Sequence, residues 1–443
     1  MIDVIPNIIF VLALALGIGN FARNIKKLIR NIKLGKPQKP DDFRSQRWRN
    51  MLRMAIGQQK MIKRPVSGVL HILVYIGFII INLEVLEIVL DGIFGTHRIF
   101  AFLGLFYNSL IAAFEILALL VILAVLGFWA RRHILNLSRF QKPEMQGWPK
   151  RDADWILYIE FLLMGLFLIM NAADFTLQQA GVAHYFQAGS FPVSGYLAMA
   201  LNGWQTSNLI LLERVTWWLH ILGILFFLNY LYYSKHLHIL LAFPNTFWGK
   251  VGPSGALDNL DAVRSEVALM MNPNADPFAP AHDNTGIPEK FGASDVMDLN
   301  RVQLLNAYTC TECGRCTSEC PANLTGKKLS PRGIMMATRD RLEEVGRNLD
   351  QNAGVWKSDG KQLLDDYISR EEIWACTTCN ACTEACPVSI DPLGIILEMR
   401  RFLVMEQSAA TSELNVMMTN IENNGAPWPF NPADRLNWAQ ESR

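Results

Sequence analysis

All eight cysteines of the 443-residue chain fall into two copies of one pattern, Cys310-x2-Cys313-x2-Cys316-x3-Cys320-Pro321 and Cys376-x2-Cys379-x2-Cys382-x3-Cys386-Pro387. Four thiolates are what a [4Fe-4S] cluster takes, and bacterial ferredoxins hold two clusters at this spacing, with the fourth cysteine of each run ligating the other cluster. The expected sets are Cys310, Cys313, Cys316 and Cys386 for cluster 1 and Cys376, Cys379, Cys382 and Cys320 for cluster 2. Structural zinc would show paired CxxC knuckles instead of a cysteine triple closed by a fourth and a proline. Disulfides would need an oxidising compartment. The chemistry expected is transfer of single electrons.

Histidines in apolar stretches are the next candidates, because an ionisable residue inside a membrane span is a functional hypothesis by default. His71 and His220 lie early in two such stretches, and His238 lies just past the end of the second. On an unbroken helix the 18 positions from His220 to His238 make five turns, so both face one way ~27 Å apart, and His236 points about 160° away. That geometry suits one ligand for each of two haems. The competing reading for each imidazole is an interhelical hydrogen bond. Asn82, Glu84, Glu87, Asp174, Glu213 and Arg214 gather at the opposite ends of the apolar stretches. Quinone reduction takes two electrons and two protons, so ionisable groups beside a redox centre suit a quinone site, with Glu84, Asp174 and Arg214 as candidates. Taken singly, each of these carboxylates reads first as solvated or as paired with Arg214.

These residues need helices to hold them. Hydrophobic residues make up 51% of the chain, and a span needs ~20 of them in succession. Five spans are expected, at 5–22, 66–90, 104–130, 154–173 and 209–234. The net charge of +1 hides a strong asymmetry. Fourteen Lys and Arg residues lie between Arg23 and Arg64, and others between Arg131 and Arg151, whereas 175–208 has none and the loop after span two holds only His97 and Arg98. Positive loops stay inside, which places the amino terminus outside and everything after Lys235 in the cytoplasm of a bacterial inner membrane. The charges of span one follow its apolar run, so it reads as an uncleaved anchor instead of a secretory signal. Its basic continuation reads as a lipid-headgroup contact. Trp204, Trp217 and Trp218 on one side, and Trp129, Trp155, Tyr230, Tyr232 and Tyr233 on the other, read as interfacial belts.

The fold class expected is all-α: a transmembrane domain over 1–240, a Pro/Gly/Asn/Asp-rich linker over 241–300, a helical two-cluster domain over 301–425 and a tail over 426–443. Ser330-Pro331, Asp391-Pro392 and Thr411 each open a helix, running to Arg347, Met405 and Asn424-Gly425. No glycine-rich nucleotide fingerprint and no hydrolase triad stands out.

Gly68-Val69-Leu70-His71, Trp218-Leu219-His220 and Ser234-Lys235-His236-Leu237-His238 resemble the five-helix cytochrome b module of the nitrate reductase gamma subunit. The first cysteine run with Thr325-Gly326-Lys327-Lys328-Leu329-Ser330-Pro331-Arg332 resembles the heterodisulfide-reductase-like iron–sulfur oxidoreductases. These include membrane proteins that pass electrons from electron-transfer flavoprotein to menaquinone. Asn424-Gly425-Ala426-Pro427-Trp428 and Arg435-Leu436-Asn437-Trp438-Ala439 resemble the segment that joins their cluster domain to cysteine-rich CCG modules. The resemblance implies haem b ligated by His71 and His238, with His220 a ligand of a second. Two departures matter. No cysteines remain for a CCG module, so the CCG or flavoprotein unit is expected on a separate subunit. Ten residues after His71, where the gamma module has its second histidine, stands Ile81, leaving His220 with His97 as its only conceivable partner.

The function expected is electron transfer between a cytoplasmic redox partner, two [4Fe-4S] clusters, one or two haems b and menaquinone. Two alternatives stand beside it: a membrane anchor and electron wire within a larger respiratory assembly, and a quinol-driven disulfide reductase subunit.

Overall fold

The computed structural model describes residues 4–37, 43–253, 255–272 and 290–441. Among them the fold is all-helical, with two isolated bridges in place of any strand. Five helices are long and apolar enough to cross a membrane: α1 (Ile5–Lys33), α2 (Pro65–Phe94), α3 (Leu105–His133), α4 (Trp148–Gln179) and α5 (Thr206–Tyr230). Proline in the first turn starts α1, α2 and α4, where its missing N–H costs nothing and its φ is already helical. The first four helices run past the carboxyl ends of the apolar stretches that signal them, because polar residues there continue the backbone bonding beyond the hydrocarbon layer.

The helices pack in sequence, α2 on α3, α3 on α4 and α4 on α5, with α1 against α5 and α2. Gly77 lets α2 approach α3 closely, since a Cβ there would collide with Val121. Much of α1 remains exposed and apolar, as at Ile8, Leu12 and Leu16, and would face lipid.

The second half packs beneath one end of this bundle. Helices α6 (His238–Trp248), α7 (Arg301–Thr309), α8 (Arg315–Ser318), α9 (Pro331–Gln351), α10 (Ala381–Ala385), α11 (Pro392–Arg401) and α12 (Ser412–Asn424) follow in order. Ser330 caps α9 by accepting from Gly333 N, and Asp391 caps α11 by accepting from Gly394 N. Gly425 closes α12 in the left-handed conformation, φ 64°.

Three expectations change. The helix through His220 does not continue to His238. It ends at Tyr230, tightens over Leu231–Tyr233 and breaks at the extended Ser234. There the Ser234 hydroxyl accepts from His236 N and Asp152 accepts from Lys235 N at 3.1 Å, which satisfies those backbone donors locally. The stretch 241–300 also contributes structure at both ends: its first residues complete α6, and Ala293, Val296 and Leu299 are buried in the core of the cluster domain. Residues 273–289 lie outside the described residues.

Finally, several basic residues assigned to lipid headgroups are joined to the cluster domain. Lys27 pairs with Asp350 at 2.7 Å and Arg30 pairs with the same carboxylate; Lys63 reaches Glu384 at 2.8 Å and Arg64 reaches Glu319 at 2.7 Å. Their carboxylate partners lie some 255 to 323 residues away along the chain, beyond the reach of any local pattern.

Candidate functional site: a row of redox ligands and a distal cavity

The two cysteine runs share a backbone as well as a spacing. In the first, Glu312 (φ 53°) and Gly314 (φ 72°) are left-handed; in the second, the equivalent Thr378 (φ 56°) and Asn380 (φ 61°) are too. Alternating handedness turns successive N–H groups inward, the nest by which loops hold iron–sulfur centres. Thr378 N reaches Cys376 Sγ at 3.4 Å, and Ile390 N reaches Cys386 Sγ at 3.3 Å. At Gly314 glycine is needed twice over, for its φ and because a Cβ would meet Arg332 Nη1 at 2.5 Å.

Cys310, Cys313, Cys316 and Cys386 line one small cavity. Of the second set, Cys376 has Cys320 and Cys379 as electrostatic neighbours. Burial pushes the thiols of Cys310 up to about 11 and of Cys382 and Cys386 to about 12. Thiolates there require cationic compensation, which the iron of a cluster provides.

The first run is clamped to the membrane helices. Arg315 donates to Lys60 O at 3.0 Å and reaches Ser67 Oγ at 3.5 Å, one turn before His71 on α2. Glu312 pairs with Lys235, just beyond α5, and with Arg339 at 2.7 Å. Burial alone would raise the Glu312 carboxyl, but Lys235 and Arg339 hold it below the ordinary range. With its folded value depressed, the stabilisation is fully present above the unfolded value of about 4.3 and is lost as pH falls through the folded value. Glu312→Gln strands two cations around a side chain 2% exposed and should destabilise the protein by about 3 kcal/mol. A lowered thermal midpoint of the detergent-purified protein at pH 7, with a difference that narrows at acid pH, would show it.

His71 and His238 face each other with ring centroids 6.3 Å apart. Two imidazoles on one metal, each bound at ~2 Å, put their nitrogens ~4 Å apart and their centroids ~6 Å apart. His238 Nδ1 lies 3.0 Å from Lys235 O, which leaves Nε2 for a metal and orients the ring, as second-shell carbonyls do. His71 Nδ1 is buried without a partner. The pair could hold one metal between two imidazole nitrogens, as a haem iron would require. His236 is drawn to the same place, with its ring 5.5 Å from that of His238 and its Nε2 3.4 Å from the carboxylate of Glu160. The break at Ser234 removes the helical phase that would have turned His236 away, and Glu160, inside a span, did not stand out in the sequence.

His220 is 1% exposed, stacks near Phe167 and directs Nδ1 to Leu163 O at 3.0 Å. His97 does not join it. His97 Nε2 stands 3.3 Å from Asp174, and its ring neighbours His184 at 5.3 Å.

At the opposite end of the bundle a cavity of about 670 Å³ is lined by Glu84, Glu87, His97, Arg98, Asp174, His184, Glu213, Arg214, Trp217 and Trp218. The three quinone-site candidates thus meet in one place, from α2, α4 and α5. Trp217, assigned to an interfacial belt, is instead 8% exposed, with the Arg214 guanidinium over its ring. The residue that organises this cavity is Arg98, which donates to Asp174 at 2.6 Å, Asn171 at 3.0 Å and Tyr107 at 3.1 Å. Tyr107 in turn donates to Glu87 at 2.8 Å, and Glu84 keeps one buried oxygen without a partner. Sequence patterning counted Arg98 only as a loop charge; an arginine at a span end carries no sign that it turns inward.

Residues 309–390 match the family described as 4Fe-4S dicluster domain. The chain is 28% identical to the "Probable iron-sulfur-binding oxidoreductase FadF" of Bacillus subtilis, over 98% of this chain and 61% of that protein. It is 27% identical to the EtfAB:quinone oxidoreductase of Syntrophomonas wolfei, over 87% of this chain and 53% of that protein. The cluster half is 32% identical to one of the CoB–CoM heterodisulfide reductase subunits of Methanosarcina acetivorans, over 26% of this chain and 56% of that protein. The chain therefore spans between half and two thirds of the length of the first two relatives. No solved structure matches it significantly.

Proposed function

We propose that this heterodisulfide-reductase-like membrane iron–sulfur oxidoreductase carries electrons between a cytoplasmic redox partner and menaquinone, by way of two [4Fe-4S] clusters and haem b. The observation that carries the reading is the contact of Arg315, in the first cysteine run, with Ser67, one turn before His71. It ties the cysteine-lined cavity to the imidazole pair. Clusters and haem supply single-electron storage when bound. The residues of the chain supply their ligands, their spacing and the proton chemistry of the quinone.

Cluster 1 is assigned to Cys310, Cys313, Cys316 and Cys386, cluster 2 to Cys376, Cys379, Cys382 and Cys320, and the haem to His71 and His238. Cys379 is exposed, so the second run is the entry point for a partner. The partner is a CCG-type or flavoprotein unit, and the tail, with Trp428, Phe430 and Trp438 exposed, is its expected contact. The relative named EtfAB:quinone oxidoreductase favours electron-transfer flavoprotein as the donor.

The quinone site is the distal cavity. Glu84 lies thirteen residues beyond His71 on α2, about 20 Å along its axis, so the electron crosses the bundle to reach it. His220, with no described imidazole partner, lies on that route as a buried packing residue; one haem b per chain is the expected content. Within the cavity, Arg98 aligns Asp174 by donating to it at 2.6 Å, and the free oxygen of Glu84 is placed to hand a proton to a quinone oxygen. Glu84→Gln should slow menaquinone reduction by about 10²-fold, the lower range for loss of a general acid, with haem and cluster spectra unchanged. Unaltered quinone turnover in that variant would remove the cavity from the mechanism.

A further inference from the structure

The loop between α3 and α4 brings a cation to the first cysteine run that no carboxylate neutralises. Arg139 lies there in a single 3-10 turn, Ser138–Phe140. Its carbonyl accepts from Arg332 Nη1 at 2.8 Å, which pins the loop to the run, and its guanidinium lies over Phe140 at 4.8 Å. Its Nε is buried without a hydrogen-bond partner. Among the described residues no carboxylate lies within ion-pair distance of it. The charges that act on it are Cys313, which attracts, and Arg64, Arg131 and Arg315, which repel.

Neighbouring arginines differ. Arg332 is matched by Glu144 at 2.8 Å, and Arg339 by Glu312 at 2.7 Å. Arg400, the cation beside Cys376 in the second run, donates to Ile373 O at 2.7 Å and lies over Trp374. A guanidinium desolvated among like charges and left with a free donor is costly, and the anion that would compensate it lies on the side of Cys313. A guanidinium stays charged at neutral pH even when desolvated.

Iron–sulfur potentials respond to net charge and to hydrogen bonds at the sulfurs. Adding an electron makes a cluster more negative, so a fixed cation nearby favours the reduced form. We propose that Arg139 is a redox-tuning residue through which the membrane half of the chain raises the reduction potential of cluster 1. This rests on the ligand assignment above. No atom is transferred; cluster 1 takes up one electron on reduction.

The test is an EPR-monitored redox titration of the full-length protein in detergent. Arg139→Gln should lower the reduction equilibrium of cluster 1 about tenfold, a shift of about 59 mV to more negative potential for one electron, and leave cluster 2 in place. Arg139→Lys should recover most of the shift. Glu144→Gln removes a negative charge from the same loop and should move cluster 1 the other way. Cys313→Ser, in the same spectra, marks the signal of the first run. If Cys313→Ser loses the iron of both clusters or of neither, the ligand assignment falls; an unshifted first-run signal in Arg139→Gln, with iron retained, overturns the tuning alone. Should Arg139→Gln lose iron, an unshifted cluster 1 in Arg139→Met, with iron retained, overturns it instead.

Discussion

His71→Ala should abolish the reduced-minus-oxidised haem b spectrum while the iron and acid-labile sulfide of both clusters remain. Changes in the outer shell of a metal site already cost 10–100-fold in affinity, and removal of an axial ligand should exceed that. The two rings face each other at 6.3 Å, and only one has its Nδ1 committed to a carbonyl. His236, whose ring lies 5.5 Å from that of His238, is turned towards Glu160 instead. His238→Ala should behave alike. His220→Ala should keep the full haem content, since that imidazole is engaged with Leu163 O and, among the described residues, no second imidazole faces it. Pyridine haemochrome assay with iron analysis on the same samples separates these outcomes. Retained haem in His71→Ala would refute the ligand pair; lost haem in His220→Ala would require a second centre.

The next largest effect is expected across the cysteine runs. Cys386→Ser should destroy the cluster of the first run and spare that of its own. Cys386 is 9% exposed, lines the same cavity as Cys310, Cys313 and Cys316, and has Cys313 and Cys310 as its charged neighbours. The mirror substitution Cys320→Ser should spare the first cluster, because Cys320 neighbours Cys376 instead. EPR of the dithionite-reduced proteins reads both, with wild-type magnetic coupling between clusters reduced to a single-cluster spectrum in each variant. A Cys386→Ser protein that loses the cluster of Cys376, Cys379 and Cys382 would mean that each run closes on itself.

Much of this was legible along the chain. Cysteine spacing, the prolines and caps at Ser330 and Asp391, and apolar runs long enough to cross a membrane are properties of a few neighbouring residues or of one continuous segment. Steric limits and backbone hydrogen bonding act over that range, so helices and their starts follow from it. The histidines stood out for the same reason, as polar residues in apolar surroundings.

Other features depend on residues that are neighbours only after packing. Lys27, Lys63 and Arg64 have no local mark that distinguishes a lipid contact from a carboxylate on the second half of the chain, and the carboxylate prevails because it offers a fixed charge at under 3 Å. The end of α5 at Tyr230 could not be read from periodicity, which continues through it; Asp152 on α4 supplies the acceptor that lets the backbone leave the helix. That break, and not helical phase, sets His238 against His71 and draws His236 to Glu160. The distal cavity exists because α2, α4, α5 and the His97–Arg98 turn converge, and burying Arg98 is tolerable only when Asp174, Asn171 and Tyr107 surround it together. Residue types and short spacings therefore settle which chemistry the chain can host. Where its charges and imidazoles point is settled by long-range packing, because desolvation and ion pairing depend on distance in space and not on distance along the chain.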